Sequence, residues 1–227
     1  MAFELVAFLG LALALGFKHA YDADHILAVS NLLARNRSLR KTTLMSISWA
    51  AGHMITATIV TVVLFVFRET ILQPVLVYLE LGVAIMLVVL GVFGILVEYK
   101  VVHIHRHGHH SAEHVHAHVH LRPATDHGAM FGIGIVHGLA SNDELLLLFV
   151  VSLSVTTLAG LLGGVGIFSV GVVLGMVVFS LGMVYPARRW GTERTRRTVS
   201  LVAAVLSIGY GIALFLGYGG VNLLPIL

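Results

Sequence analysis

Two imidazoles and two carboxylates fall within one short stretch, Phe17-Lys18-His19-Ala20-Tyr21-Asp22-Ala23-Asp24-His25-Ile26, at the end of a strongly apolar run. Ionisable side chains at membrane depth are expensive to bury, so such a group marks a functional site. Imidazole nitrogen and carboxylate oxygen are ligands for a divalent transition metal. The chain has no cysteine, which removes thiolate metal sites, disulfides and thiol redox chemistry together. A sulfur-free set suits Ni(II), Co(II), Zn(II) or Mn(II) better than Cu(I), and ligand types alone do not choose among them. Two more histidines fall inside apolar segments, His53 in Ala51-Gly52-His53-Met54 and His137 in Ile135-Val136-His137, and Asp143 and Glu144 follow the second. A lone intramembrane histidine is as readily a hydrogen-bonded packing residue. Four of them with four carboxylates favour a site, because the cost of burial multiplies.

An unbroken helix cannot aim the stretch at one ion. His19 to Asp24 turns through roughly 500° and His19 to His25 through roughly 600°, which leaves the three side chains well apart around a regular helix. Either the backbone unwinds between His19 and His25, which membrane proteins tolerate only around a cavity or protein interior, or other segments complete the shell. Asp22 is three residues from both His19 and His25, so it either ligates or orients an imidazole from behind. His19, Asp24 and His25 rank above it as ligands, with His53, His137 and Asp143 as further candidates.

The elements that must position these residues are helices in a bilayer. With 58% hydrophobic and 11% charged residues, the composition is that of a polytopic, all-α membrane protein. A span takes about 20 apolar residues, and six segments qualify: 3–19 continuing through 26–33, then 42–67, 72–99, 128–155, 158–185 and 199–218. Glu4, with no Lys or Arg before Lys18, argues against a cleaved signal peptide, so the first segment is expected to stay. Residues 100–127 form a polar loop holding ten of the fourteen histidines, a composition that binds metal without a packed fold. The chain therefore divides into a membrane half at 1–99, a histidine-rich loop at 100–127 and a second membrane half at 128–227.

Twelve of the fourteen Lys and Arg residues lie in the loops after the first, third and fifth segments. Cytoplasmic loops carry such an excess, so both termini are expected outside and the histidine-rich loop in the cytoplasm. This distribution also explains the basic charge without nucleic acid, and membrane lipid is the expected surrounding. Gly16-Phe17-Lys18-His19 can be laid on Gly134-Ile135-Val136-His137, and Asp24 on Asn142. Both copies open a three-segment half, and successive halves of three spans run in opposite directions. That is a 3+3 inverted repeat with interrupted first and fourth helices, the plan that places transporter sites near the midplane. Gly160-(three residues)-Gly164 and Gly171-(three residues)-Gly175 supply the small-residue spacing of close helix packing.

His19-(four residues)-Asp24-His25, inside Lys-His-Ala-Tyr-Asp-Ala-Asp-His-Ile, resembles the HX4DH signature of the nickel/cobalt transporter family, and Gly52-His53 falls where that family has a Gly-His motif. The chain looks most like the family's short six-span relatives, some of them called urease or hydrogenase accessory proteins. The resemblance implies metal selection and transport by His19, Asp24, His25 and His53, with Ni2+ or Co2+ as cargo and no prosthetic group. No GxxxxGK[ST] phosphate loop is present, so uptake would run on an ion gradient, the membrane potential or a partner. The histidine-rich loop would buffer incoming ions, gate the pore by feedback or gather ions for export, and a cytoplasmic metallochaperone is the expected recipient of the metal. Export with that loop as collector, a membrane di-metal enzyme, and an accessory role without flux are the alternatives. Oligomeric state is not legible.

Overall fold

The computed structural model describes residues 2–34, 36, 38–66, 72–99, 126–140 and 158–218. Among them the regular elements are seven α-helices: α1 (Ala2–His19), α2 (Ala23–Leu33), α3 (Leu39–Val66), α4 (Leu72–Glu98), α5 (Asp126–Ala140), α6 (Leu158–Arg189) and α7 (Glu193–Phe215). Long runs of Leu, Val, Ala and Ile form helices here because lipid offers no partner for a backbone N–H or C=O. The stretches Leu39–Val63, Leu81–Glu98, Ala159–Arg189 and Glu193–Phe215 are long and apolar enough to cross a bilayer, and Val6–His19 is a shorter apolar helix. The protein is an all-α, multi-pass membrane protein.

The helix ends lie near those expected from hydropathy, with one instructive difference. α7 starts at Glu193, six residues before the apolar run. Its N-cap Thr192 accepts from the Thr195 backbone N–H at 3.1 Å, and Glu193 and Arg196 pair one turn apart on the polar first turns. Hydropathy cannot see a capped, charged overhang. The expected fourth span is covered by α5 only as far as Ala140. Its continuation to Val155 and any break in it lie outside the described residues, as do residues 100–125 of the histidine-rich loop.

The first apolar segment is interrupted, one of the two arrangements that the angular argument allows. α1 ends as the Tyr21 and Asp22 N–H groups tighten onto the Lys18 and His19 carbonyls at 2.8 and 3.0 Å. Asp22 then turns extended (φ −61°, ψ 144°) and opens α2. A break of this kind needs protein around it, and α2 has it. Asp24, His25, Ile26, Ala28, Val29 and Ser30 are all buried, between α4, α6 and α7.

Glycines set the helix crossings. A Cβ on Gly16 would fall on the Phe168 carbonyl, and one on Gly171 would meet the Leu13 carbonyl and Phe17 N–H, so α1 and α6 touch backbone to backbone. α3 and α5 repeat the pattern. Gly134 lies on the Trp49 carbonyl and His53 N–H, and Gly52 on the Phe131 carbonyl and Ile135 N–H. Residue numbers rise together along both pairs, so each runs parallel. α4 and α7 run antiparallel, with Gly91 against Ala204 and Ile208, and Gly211 against Ala84 and Val88. In lipid no hydrophobic effect drives helices together, and contacts as close as these replace it. Ile59, Ile85, Val89, Leu174, Val178 and Val205 are exposed on the bundle's outside, where acyl chains would cover them.

Candidate metal centre

The interruption brings His19 and His25 together. His19 is the last residue of α1 and His25 lies in the first turn of α2, and their Nε2 atoms are 3.2 Å apart. His53, from the middle of α3, places its Nε2 3.2 Å from the same His19 nitrogen. All three residues are at most 1% exposed. They form a group whose ligand atoms lie within 4.8 Å of one another, and Asp24, His25 and His137 form a second such group.

His19 and His25 each have a carboxylate on Nδ1. Asp22 Oδ2 is 2.7 Å from His19 Nδ1. Asp24 Oδ1 is 2.7 Å from His25 Nδ1 and also accepts the His25 backbone N–H at 2.9 Å. Although Asp22 is the N-cap residue of α2, its side chain makes no capping hydrogen bond; it turns to His19 instead. In a neutral imidazole one nitrogen donates and the other accepts, and the partner of the first decides which. A neutral imidazole that donates from Nδ1 carries its lone pair on Nε2. The 3.2 Å approach of the two Nε2 atoms is then satisfied by a shared proton or by a cation bound to both.

The spacing suits a metal ion. With metal–imidazole bonds of about 2.0–2.1 Å, two nitrogens on one ion stand about 2.9 Å apart at a right angle and about 3.3 Å apart at the tetrahedral angle. The observed 3.2 Å lies between these limits. Charge agrees as well, since two carboxylates behind neutral imidazoles are balanced by one doubly charged cation, and an unbalanced buried charge is costly.

Sequence reasoning missed the aromatic wall. Trp49 is completely buried and stacks on His53 with centroids 5.1 Å apart and planes inclined by 15°. It also meets His25 and His137 edge-on, at 5.0 and 5.6 Å. Phe168 of α6, equally buried, lies 5.5 Å from His19. The signal was present only for Trp49, which precedes His53 by four residues and so shares its helix face. Phe168 becomes a neighbour only through the α1–α6 crossing. His137, on the last turn of α5, has its ring 5.2 Å from that of His25. Asp143 lies outside the described residues.

No protein-family model matches the chain, and no solved structure matches it. Among curated proteins, the urease accessory protein UreH of Bacillus sp. (strain TB-90) is 32% identical over 177 residues, which cover 78% of this chain and 76% of that protein. Agreement of that extent along most of both chains establishes common descent, and the chain belongs to the same protein family as the urease accessory protein UreH.

Proposed function

We infer that the protein is a secondary transporter that carries a divalent transition metal ion, Ni2+ or Co2+, inward across the cytoplasmic membrane. It belongs with the nickel/cobalt transporters whose signature its His19-(four residues)-Asp24-His25 resembles. One observation carries this reading: three buried Nε2 atoms converge with carboxylates on the far nitrogens of two of them. In that arrangement His19, His25 and His53 are the ligands, and Asp22 and Asp24 fix their tautomers and supply the balancing charge. His137 and Asp143 remain candidates for the rest of the shell, and Zn2+ and Mn2+ belong in any test panel.

The helix pairings support two inverted halves, residues 1–99 and 128–227, joined by the histidine-rich loop. Exchanging the halves turns the α1–α6 crossing into the α5–α3 crossing, with Gly16 answering to Gly134 and Gly171 to Gly52. The same exchange turns the α4–α7 contact, Gly91 with Gly211, into itself. The Lys and Arg distribution favours both termini outside and the loop inside. The ion sheds water onto the imidazoles in a closed bundle, so entry and release require the halves to rock about the site. The relative's name, a urease accessory protein, accords with handing metal to a cytoplasmic metallochaperone.

The test is flux into liposomes containing the full chain, with a panel of Ni2+, Co2+, Zn2+ and Mn2+. Accumulation of Ni2+ or Co2+ that disappears in His19→Ala and His25→Ala, both correctly inserted, is the expected result. Equal accumulation in those variants overturns the reading. Metal depletion rather than accumulation in cells making the protein would assign export, with the histidine-rich loop as collector.

A further inference from the structure

The two ends of the bundle are not closed alike. Ser46 of α3 and Ser180 of α6 are both fully buried, and their Oγ atoms lie 2.8 Å apart, so a hydrogen bond joins the first half of the chain to the second. Ser46 precedes His53 by seven residues, which returns it to the same face of α3 about 10 Å along the axis from that histidine. The end it lies towards carries Arg40 and Lys41 in the first turn of α3 and Arg188 and Arg189 in the last turn of α6, the distribution of a cytoplasmic face. The bond is also built to open. Ser46 Oγ is 2.9 Å from the Thr42 carbonyl of its own helix. A hydroxyl has one hydrogen to give, and when Ser180 moves away that hydrogen goes to Thr42 instead of being stranded in an apolar interior. The polar part of the separation then costs only one interhelix hydrogen bond, which in a bilayer shifts an equilibrium about threefold on average and under about twentyfold at most.

The exchange of halves that pairs Gly52 with Gly171 shows what stands at the opposite end. Nine residues after the two glycines come Thr61 and Ser180, and six before them come Ser46 and Val165. The counterpart of the Ser46–Ser180 contact is thus Val165 with Thr61, both of them buried. A valine side chain has no polar atom to offer, and the Thr61 hydroxyl donates to the Ala57 carbonyl of its own helix at 2.8 Å. The basic end of the α3–α6 contact carries a hydrogen bond between the halves that the equivalent pair at the other end cannot form.

We propose that Ser46 and Ser180 are a clasp on the release side of the metal centre, which holds α3 against α6 while the ion is bound and parts to discharge it. The proposal rests on the transport reading above and names the contact that controls its last step. Because the clasp lies about two turns from His53 along α3, fixing it shut stops discharge and leaves equilibrium binding nearly intact.

The chain has no cysteine, so Ser46→Cys with Ser180→Cys in the full chain gives a single pair of thiols to oxidise and reduce. Co2+ is titrated into the nanodisc-held protein, and Co2+ flux is measured in liposomes. Oxidised, the pair should keep Kd within about threefold of the reduced form while flux is lost, and flux should return once the disulfide is reduced and the reductant removed. Ser46→Ala with Ser180→Ala, which removes the clasp, should transport at least as fast as wild type. Thiols that do not cross-link contradict the contact. An oxidised pair that transports as fast as its reduced form makes the contact static packing, and one that no longer binds Co2+ makes it part of the binding site; either result overturns the proposal. So does a correctly inserted double alanine variant that transports more slowly than wild type. A wild-type protein that binds Co2+ without flux overturns the transport reading itself, which separates the two failures.

Discussion

Replacing Asp22 by alanine isolates what a carboxylate behind a metal-binding imidazole contributes. The change leaves every proposed ligand nitrogen in place and removes only the 2.7 Å contact to His19 Nδ1. Without it the His19 ring can rotate and can carry its proton on Nε2, the nitrogen that must be free for the ion. Loss of such a partner costs 10–100-fold in affinity, about 1.4–2.7 kcal/mol. The Asp22 side chain is 19% exposed, so water screens the contact little and the upper half of that range is expected. A cap residue would behave differently. Losing an N-cap typically costs about 1 kcal/mol of stability and has no reason to alter metal binding, and Asp22 makes no side-chain cap bond. Competition between the nanodisc-held protein and a chromophoric chelator for Ni2+ gives Kd directly, and a thermal melt of the same sample gives stability. Affinity within threefold of wild type, with or without a lower melting temperature, would refute the reasoning.

The aromatic wall supplies a spectroscopic prediction. Of the two tryptophans, Trp49 stacks on His53, while Trp190 is 72% exposed at the end of α6. Ni2+ should quench tryptophan fluorescence in Trp190→Phe and leave it unchanged in Trp49→Phe. Protons and metal compete for the same Nε2 lone pairs, so binding should weaken once the pH is low enough to protonate the imidazoles. Binding that stays unchanged down to the pH at which the protein unfolds would exclude histidine ligation. For packing, Gly134→Ala should lower the melting temperature, because the new Cβ falls on the Trp49 carbonyl, whereas Gly132→Ala, with nothing within 4 Å, should not. Equal melting temperatures for the two would contradict the close α3–α5 crossing.

Much of the first half of the site is legible from residue spacing. The six-residue interval from His19 to His25 is incompatible with one ion on a straight helix, and the backbone does break between them. Relation to the urease accessory proteins is legible in the same stretch. What spacing does not reveal is which nitrogen of each imidazole a carboxylate holds. Asp24 reads as a ligand and Asp22 as its lesser alternative; in the structure each has a carboxylate oxygen 2.7 Å from a histidine Nδ1. Phe168 is invisible from sequence because an aromatic in an apolar helix is ordinarily core, and only the crossing at Gly16 brings it to His19. Gly171 and Gly175 press on α1, but Gly163, Gly166 and Gly182 of the same helix face open space.

The central claim is that the Nε2 atoms of His19, His25 and His53 hold one divalent cation in the interior of the bundle. X-ray absorption at the metal edge of the Ni2+-loaded full chain in nanodiscs tests it most directly, because imidazole rings leave a distinct outer-shell scattering signature. Three imidazoles at about 2.1 Å in the wild type, falling to two in His53→Ala, is the predicted result. A shell of oxygen atoms alone, or an imidazole count that His53→Ala does not change, would contradict it.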